Sequence, residues 1–406
     1  MNTLPRERVL PINDGGRSLD VVMLVNGAYP PLAGGGTEMQ VRTLARALRK
    51  RGHRVTVVAP LIRERSQQRV ERDDGVVVVR LTFPKVRLLG GIVLMLRLLL
   101  FLLSRRDCYD AWHVHSPRQW AALATLLGSL LAKPQVVVKV ASALELERGT
   151  LARNPSIRSR AVYMCLSRAS AWQAISRRIA EGVAAAGIPA HRIAAIPNAV
   201  DTARFRPRTR RAPGDARFIF VGRLVEVKNL PLLLDGFAAV MRSHPRAHLR
   251  IVGSGPLESS LKQQASRLQI DSNVEFTGHR EDVEDLLADA DFGVLPSSVE
   301  GLSNTLLECM ACGLPMIASR VSGSEDLVAN GSNGWLFDPG DLDGLTRCLR
   351  EAASLAPDEL LRFGKEARET VERYASLDSV ADRIVVLYRG SSLSPHAVFS
   401  ATGEAG

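Results

Sequence analysis

Cysteine is scarce: five in 406 residues, at positions 108, 165, 309, 312 and 348. That scatter excludes a disulfide framework and suits a reducing compartment. The amino terminus has no apolar signal core, so export is not indicated. No dinucleotide fingerprint G-x-G-x-x-G occurs, nor any recognition helix, zinc module or aromatic RNA-binding signature, so we expect no nucleic-acid partner. Metal ligands do not gather either. Trp112-His-Val-His115 carries two histidines on one strand face, but no further ligand clusters nearby, and cleft lining or a structural role is favoured. Asp341-Leu-Asp343 follows Pro339-Gly340 and precedes a helix, where capping explains it. We expect neither a metal nor a cofactor.

Acidic residues are missing from one half in particular. Residues 1–200 hold 30 Lys and Arg against 13 Asp and Glu, and the rest hold 23 against 29, giving +17 and −6 within the overall +11. Only the first half is therefore suited to an anionic surface. Long apolar runs are also absent, Leu88–Leu103 being the most apolar stretch. As a helix its 16 residues reach about 24 Å, short of the roughly 30 Å hydrocarbon core. Arg97 at its centre would cost roughly 2.5–3.5 kcal/mol in a spanning helix. With Lys85 and Arg87 before it and Arg105 and Arg106 after it, the stretch reads either as a helix lying in an anionic interface or as a core helix.

What is present is a repeated strand–helix alternation, over a length that suits two domains of roughly 200 residues. Residues 1–19 read as a loose lead-in. Asp20–Val25 reads as a strand, followed by a loop with Gly34-Gly-Gly36, a helix burying Val41, Leu44, Ala45 and Leu48, and a second strand over Arg54–Ala59. Arg206–Asp215, rich in Arg, Pro and Gly, reads as the linker. Beyond it come strands at Arg217–Val221, Leu249–Val252, Val274–Thr277, Asp291–Leu295 and Pro315–Ser319. The expected domains are 20–205 and 206–376, with a helix near 377–391 returning to the first domain and a disordered tail over 392–406.

Candidate site residues lie at strand-to-helix turns. In Glu300-Gly-Leu-Ser-Asn-Thr-Leu-Leu-Glu308, Ser303 or Asn304 would cap a helix whose free N–H groups suit a phosphate. Glu300 would stand on the loop and Glu308 just inside the helix, at the sheet edge where ligands bind. This stretch resembles the E-x7-E motif of retaining glycosyltransferases of family 4, with the GT-B fold. Gly35-Gly-Thr-Glu38, or the overlapping Gly34-Gly-Gly-Thr-Glu38, resembles the family's opening G-G-x-x-E, and Gly222-Arg-Leu…Lys228 its G-R-[LF]-x(3)-K segment. Ile196-Pro-Asn-Ala-Val-Asp resembles its passage between domains, with Ala199 where a glycine is usual.

The resemblance implies an α/β chain of two facing Rossmann-like domains with parallel sheets and a cleft, moving a sugar from a nucleotide-diphosphate sugar to a glycan or lipid-linked acceptor. It implies that Arg223 and Lys228 hold the diphosphate, that Glu300 contacts the donor sugar, and that Glu308 meets the ribose. Backbone at Gly35, Gly36, Gly222, Ser303, Asn304 and Thr305 would meet donor phosphates, and the Gly278-His279 loop would frame the base. Many members carry a histidine at the end of the strand Gln135–Val140; here Lys139, Ala141 and Ser142 stand near that position. A nucleotide-sugar epimerase or hydrolase, or a non-catalytic polysaccharide-assembly protein, are the alternatives. The expected location is cytoplasmic, at the inner face of the plasma membrane.

Overall fold

A computed structural model describes residues 17–31, 35–62, 67–86, 88–132, 134–147, 149–152, 156–207 and 215–391. Gly34, Arg87, most of the 1–19 lead-in, most of the 206–215 linker and the 392–406 tail lie outside the described residues. The chain divides into two compact units. The first comprises residues up to Ile196 apart from Ser176–Arg178, together with Leu377–Ala397; the second is built on Pro197–Ser376.

In the first unit, described strands β1 (Asp20–Leu24), β2 (Arg54–Pro60), β3 (Val70–Asp73), β4 (Val76–Leu81), β5 (Ala111–Val114), β6 (Gln135–Val140), β7 (Ala171–Ala174) and β8 (Ile193–Ala195) form a sheet ordered β3-β4-β2-β1-β5-β6-β7-β8. Only the β3–β4 pair is antiparallel. Runs such as Val136-Val-Val138 are buried because a parallel sheet is covered on both faces. The chain lays strands outward from β1 to one side, then returns to place β5 on the other. The loop after β1 therefore stands at the point where strand order reverses.

That loop leads into the helix Gly36–Lys50, whose N-cap is the extended Gly35. Glu38 turns its carboxylate back over the loop: an added Cβ would come within 2.0 Å of it at Gly27 and 2.5 Å at Gly35. The glycines here make room for a side chain of the protein itself.

Beneath the same edge, a buried polar cluster faces the last helix, Leu377–Tyr388. His113 Nδ1 lies 2.8 Å from the Tyr388 hydroxyl and its ring stacks on His115 at 4.1 Å. Only part of this group is satisfied, because both ring nitrogens of His115 lack a partner among the described residues. Lys139 is buried beside them, and burial pulls its amine down to about 7. Burial, with Lys139 adding to it, pushes His113 down to about 3, and His115 well below its usual value. The last helix is fixed further by Arg51, which binds Asp378 and Asp382, and by Arg383, which donates to the Ala195 carbonyl.

The stretch expected at 88–103 is the helix Leu89–Ser104, buried along one side and exposed along the other. Leu98, Phe101 and Leu102 are buried, while Leu89, Ile92, Leu96, Leu100 and Leu103 are exposed. Arg97 donates to the Thr82 carbonyl at 2.6 Å. Among the described residues no helix is long and apolar enough to cross a membrane.

The second unit's described strands are β9 (Arg217–Val221), β10 (His248–Val252), β11 (Val274–Gly278), β12 (Phe292–Leu295), β13 (Met316–Ser319) and β14 (Gly334–Phe337), all parallel in the order β11-β10-β9-β12-β13-β14. Its strand order reverses between β9 and β12. Residues 197–205, assigned from sequence to the first domain, pack with this unit instead. Arg368 holds them by donating to the carbonyls of Thr202 and Phe205, and Val200 bridges to Ser376. Asp341 is an N-cap, accepting from Gly344 N–H at 2.9 Å. Cys309 and Cys312 are buried, and neither is joined in a disulfide.

Candidate active site

The reversal between β9 and β12 brings two loops together. From β9 the chain passes through Gly222 into a single turn, Glu226–Lys228, that ends on the left-handed Asn229. From β12 it passes through Ser297 and Glu300 to the helix Asn304–Ala311. Ser298 N–H donates to the Val227 carbonyl at 2.8 Å and ties the loops. Across this seam Lys228 Nζ pairs with Glu300 Oε1, which also accepts from Ser297 Oγ at 2.8 Å. Two candidates 72 positions apart thus meet as a mostly buried ion pair.

The β9 loop is braced from the other side. Gly253 adopts φ +135°, and a Cβ there would lie 1.9 Å from the Gly222 carbonyl oxygen, so only glycine lets the two backbones approach. Leu224 N–H donates to Ser254 and Gly253 N–H to Gly278. The loops after β9, β10 and β11 are laced into one rim. Arg223 projects from it exposed, with no side-chain partner among the described residues. Gly278, at φ +70°, faces open space, and His279 is exposed beside it.

Ser303 is the cap expected, accepting from Leu306 N–H. Thr305 instead spends its hydroxyl on the Val221 carbonyl, 3.0 Å away, pinning the helix start to the end of β9. Asn198 Nδ2 donates to the Leu302 carbonyl and to Asn304 Oδ1. Ser322 Oγ donates to the Gly301 carbonyl, so the Ser322-Gly323 loop, given no role from sequence, supports the turn. Glu308 is half-buried a turn further on. Burial pushes its carboxyl up to about 7, Arg204 pulling against that and Glu284 adding to it. Arg204 is itself held by Glu284 through two hydrogen bonds.

The second unit therefore gathers Gly222, Arg223, Lys228, Gly278, His279, Glu300, Ser303, Asn304, Thr305 and Glu308 along one sheet edge. Gly35 and Gly36 belong to the first unit, at its own reversal point. Sequence reasoning missed Ser297, Asn198 and the Arg204–Glu284 pair, which act across the fold and carry no local pattern. No cluster of three or more potential metal ligands occurs among the described residues.

Two family models match end to end: Glycosyltransferase Family 4 over residues 34–204, and Glycosyl transferases group 1 over residues 201–370. The chain belongs to the family 4 glycosyltransferases. WcaL of Escherichia coli K12, named for colanic acid biosynthesis, is 34% identical over 195 residues, or 46% of this chain and 48% of WcaL. N-acetyl-α-D-glucosaminyl L-malate synthase of Bacillus anthracis is 31% identical over 172 residues, 42% of this chain and 44% of that protein. The chain thus spans about half the length of the curated relatives it matches. Among solved structures, Anabaena HepE, crystallised with UDP and glucose, superposes with a TM-score of 0.71 over 90% of this chain and 98% of HepE at 19% identity. It shares the two-domain GT-B fold. Within this family 4 chain, the E-x7-E and G-R-x-x-x-x-K segments form the two sides of a single seam.

Proposed function

We propose that this family 4 chain transfers a sugar from a nucleoside-diphosphate sugar to a hydroxyl of a glycan or lipid-linked acceptor, with retention of configuration and without a metal. The Lys228–Glu300 pair, at the strand reversal and beside a helix N-terminus, carries the reading. When the sugar–oxygen bond breaks, negative charge builds on the leaving diphosphate. Arg223, Lys228 and the N–H groups at Ser303, Asn304 and Thr305 are then the stabilising donors. Charge-assisted hydrogen bonds of this kind contribute roughly 1.5–3 kcal/mol each.

In this reading the diphosphate competes with Glu300 for the Lys228 ammonium. That frees Glu300 to steady positive charge at the anomeric carbon, with Ser297 holding its orientation. Glu308 accepts from the ribose diol, and Gly278 with His279 borders the base. HepE's complex with UDP favours a uridine donor. Retention follows the family resemblance. The acceptor is met at the anionic, cytoplasmic face of a membrane, as the basic first unit suggests.

The test is thermal stabilisation by UDP, GDP, ADP, CMP and their sugars, without metal, in the parent and Lys228→Ala. One nucleoside diphosphate at about a hundred times its Kd should raise the melting temperature by roughly 5–10 °C. The variant should lose that shift. No shift with any nucleotide would overturn the proposal. Sugar release without an acceptor would point to a hydrolase, and binding without turnover over a broad acceptor panel to a scaffold.

A further inference from the structure

The exposed residues of the helix Leu89–Ser104 follow one another at three- and four-residue steps, which places Leu89, Ile92, Leu96, Leu100 and Leu103 on one face along its whole length. Ile92 is 66% exposed and Leu100 57%. The helix packs on Gln119–Leu131, and so does a second helix, Ile157–Leu166. That second helix has its own stripe: Ile157, 87% exposed, then Ala161 and Met164 at the same helical spacing. Leu130, at the end of the helix between them in sequence, is exposed as well. Scattered apolar residues on a surface need no explanation; two continuous stripes on neighbouring helices do.

Charge identifies what covers them. The sequence has no Asp or Glu from Gly75 to Arg106, from Ala111 to Leu144, or from Arg148 to Ala180. All three helices fall within those gaps apart from the acids at their borders. Arg105 follows the first stripe, with Arg106 next to it paired to Asp107 at 3.3 Å, and Arg158, Arg160 and Arg168 accompany the second. Arg105 stacks its guanidinium over Phe101 at 4.7 Å, an apolar stem with a cationic tip. Arg97, the one charge in the middle of the first helix, is tied to the Thr82 carbonyl of its own unit. Apolar stripes that carry no acid along their length and are bordered by an excess of cations complement an anionic bilayer surface. A protein partner would need no such excess.

We infer that the helices Leu89–Ser104 and Ile157–Leu166 together form a membrane-docking face, the first lying flat in the headgroup boundary and the second adding a shorter apolar contact. This deepens the membrane-facing part of the proposed function and rests on it. Vesicle binding measured without nucleotide and donor-induced stabilisation fail independently, so the two ideas are separable.

The experiment is co-sedimentation of the full chain with vesicles of phosphatidylcholine containing about a third phosphatidylglycerol. The parent should bind these and bind pure phosphatidylcholine far less. Leu96→Asp with Leu100→Asp should lower partitioning at least tenfold, and Ile157→Asp with Met164→Asp by a smaller factor. Arg105→Gln should lower it by about fivefold at low salt, the effect of one basic residue near an anionic surface, and the parent should release in high salt. Each variant should keep the parent's melting temperature and nucleotide response, which excludes misfolding as the cause. Undiminished binding by the leucine variant overturns the inference, as does equal binding to neutral vesicles. Sedimentation of the parent as a dimer, with the leucine variant monomeric and no vesicle binding by either, would assign the face to a second copy of the chain.

Discussion

Lys139→Met should make the first unit more stable at neutral pH, against the usual outcome of a core substitution. The buried amine titrates near 7, whereas in the unfolded chain it titrates near 10.5. At pH 7 the unfolded chain holds that proton fully and the folded chain about half of it. One pKa unit corresponds to about 1.4 kcal/mol, so the lysine withholds about 4 kcal/mol of stability at pH 7. Between pH 7 and 10.5 the unfolded state binds more protons, so parental stability must rise with pH through that window. Methionine fills a similar volume with no charge to desolvate and should recover most of the deficit, roughly 8–15 °C in melting temperature for a unit of this size.

The assay is urea unfolding followed by tryptophan fluorescence in a Trp335→Phe background. That leaves Trp112, Trp120 and Trp172, all in the first unit, as reporters. The parent's midpoint should climb from pH 7 to 9.5 while the Lys139→Met midpoint stays level. Below pH 6.5 both should weaken. His113 and His115 titrate below their usual value in the fold, so the unfolded chain takes up protons there first. A parental midpoint flat above pH 7, or a less stable variant, would refute the reasoning.

Two further outcomes concern the second unit. With the Glu308 carboxyl pushed up to about 7, donor affinity should fall below that pH by up to about tenfold per unit if the ionised form receives the ribose diol. Isothermal titration from pH 5.5 to 8.5 should show this break in the parent, a higher break in Arg204→Gln, and none in Glu308→Gln; a flat parental profile would count against the role. Gly253→Ala should destabilise the unit by about 2 kcal/mol or more and weaken donor binding, since its Cβ meets the Gly222 carbonyl. Gly278→Ala, strained only by its φ, should cost about 1 kcal/mol, and equal losses from the two would refute the steric account.

What could be read from the chain beforehand was local. The helix cap at Ser303, the glycine loop after β9 and the strands themselves each leave a signature within ten residues. The hairpin β3–β4 went unread although Asp74-Gly75, with φ values of +48° and +82°, is the strongest short hairpin signal there is. Other features depend on contacts between distant segments. Nothing near Ser297 announces that it will hold Glu300, and nothing near Thr202 or Phe205 that Arg368 will draw them into the second unit. The pairing of Lys228 with Glu300 follows from strand order, which local pattern does not determine. Lys139 sat in plain view among apolar residues, but its burial depends on parts of the unit beyond its own strand.

That last helix also sets the order in which the molecule can be completed during synthesis. The first unit's sheet is complete at Ala195, yet the segment that covers His113 and binds Arg51 emerges only after Leu377. All of Pro197–Ser376 leaves the ribosome in between, with every strand of its own sheet. The unit begun first is thus the unit finished last, and His113 waits for its Tyr388 partner until translation is nearly done. A nascent chain stalled before Leu377 would carry a closed second unit joined to an unclosed first one, the form a chaperone would hold longest.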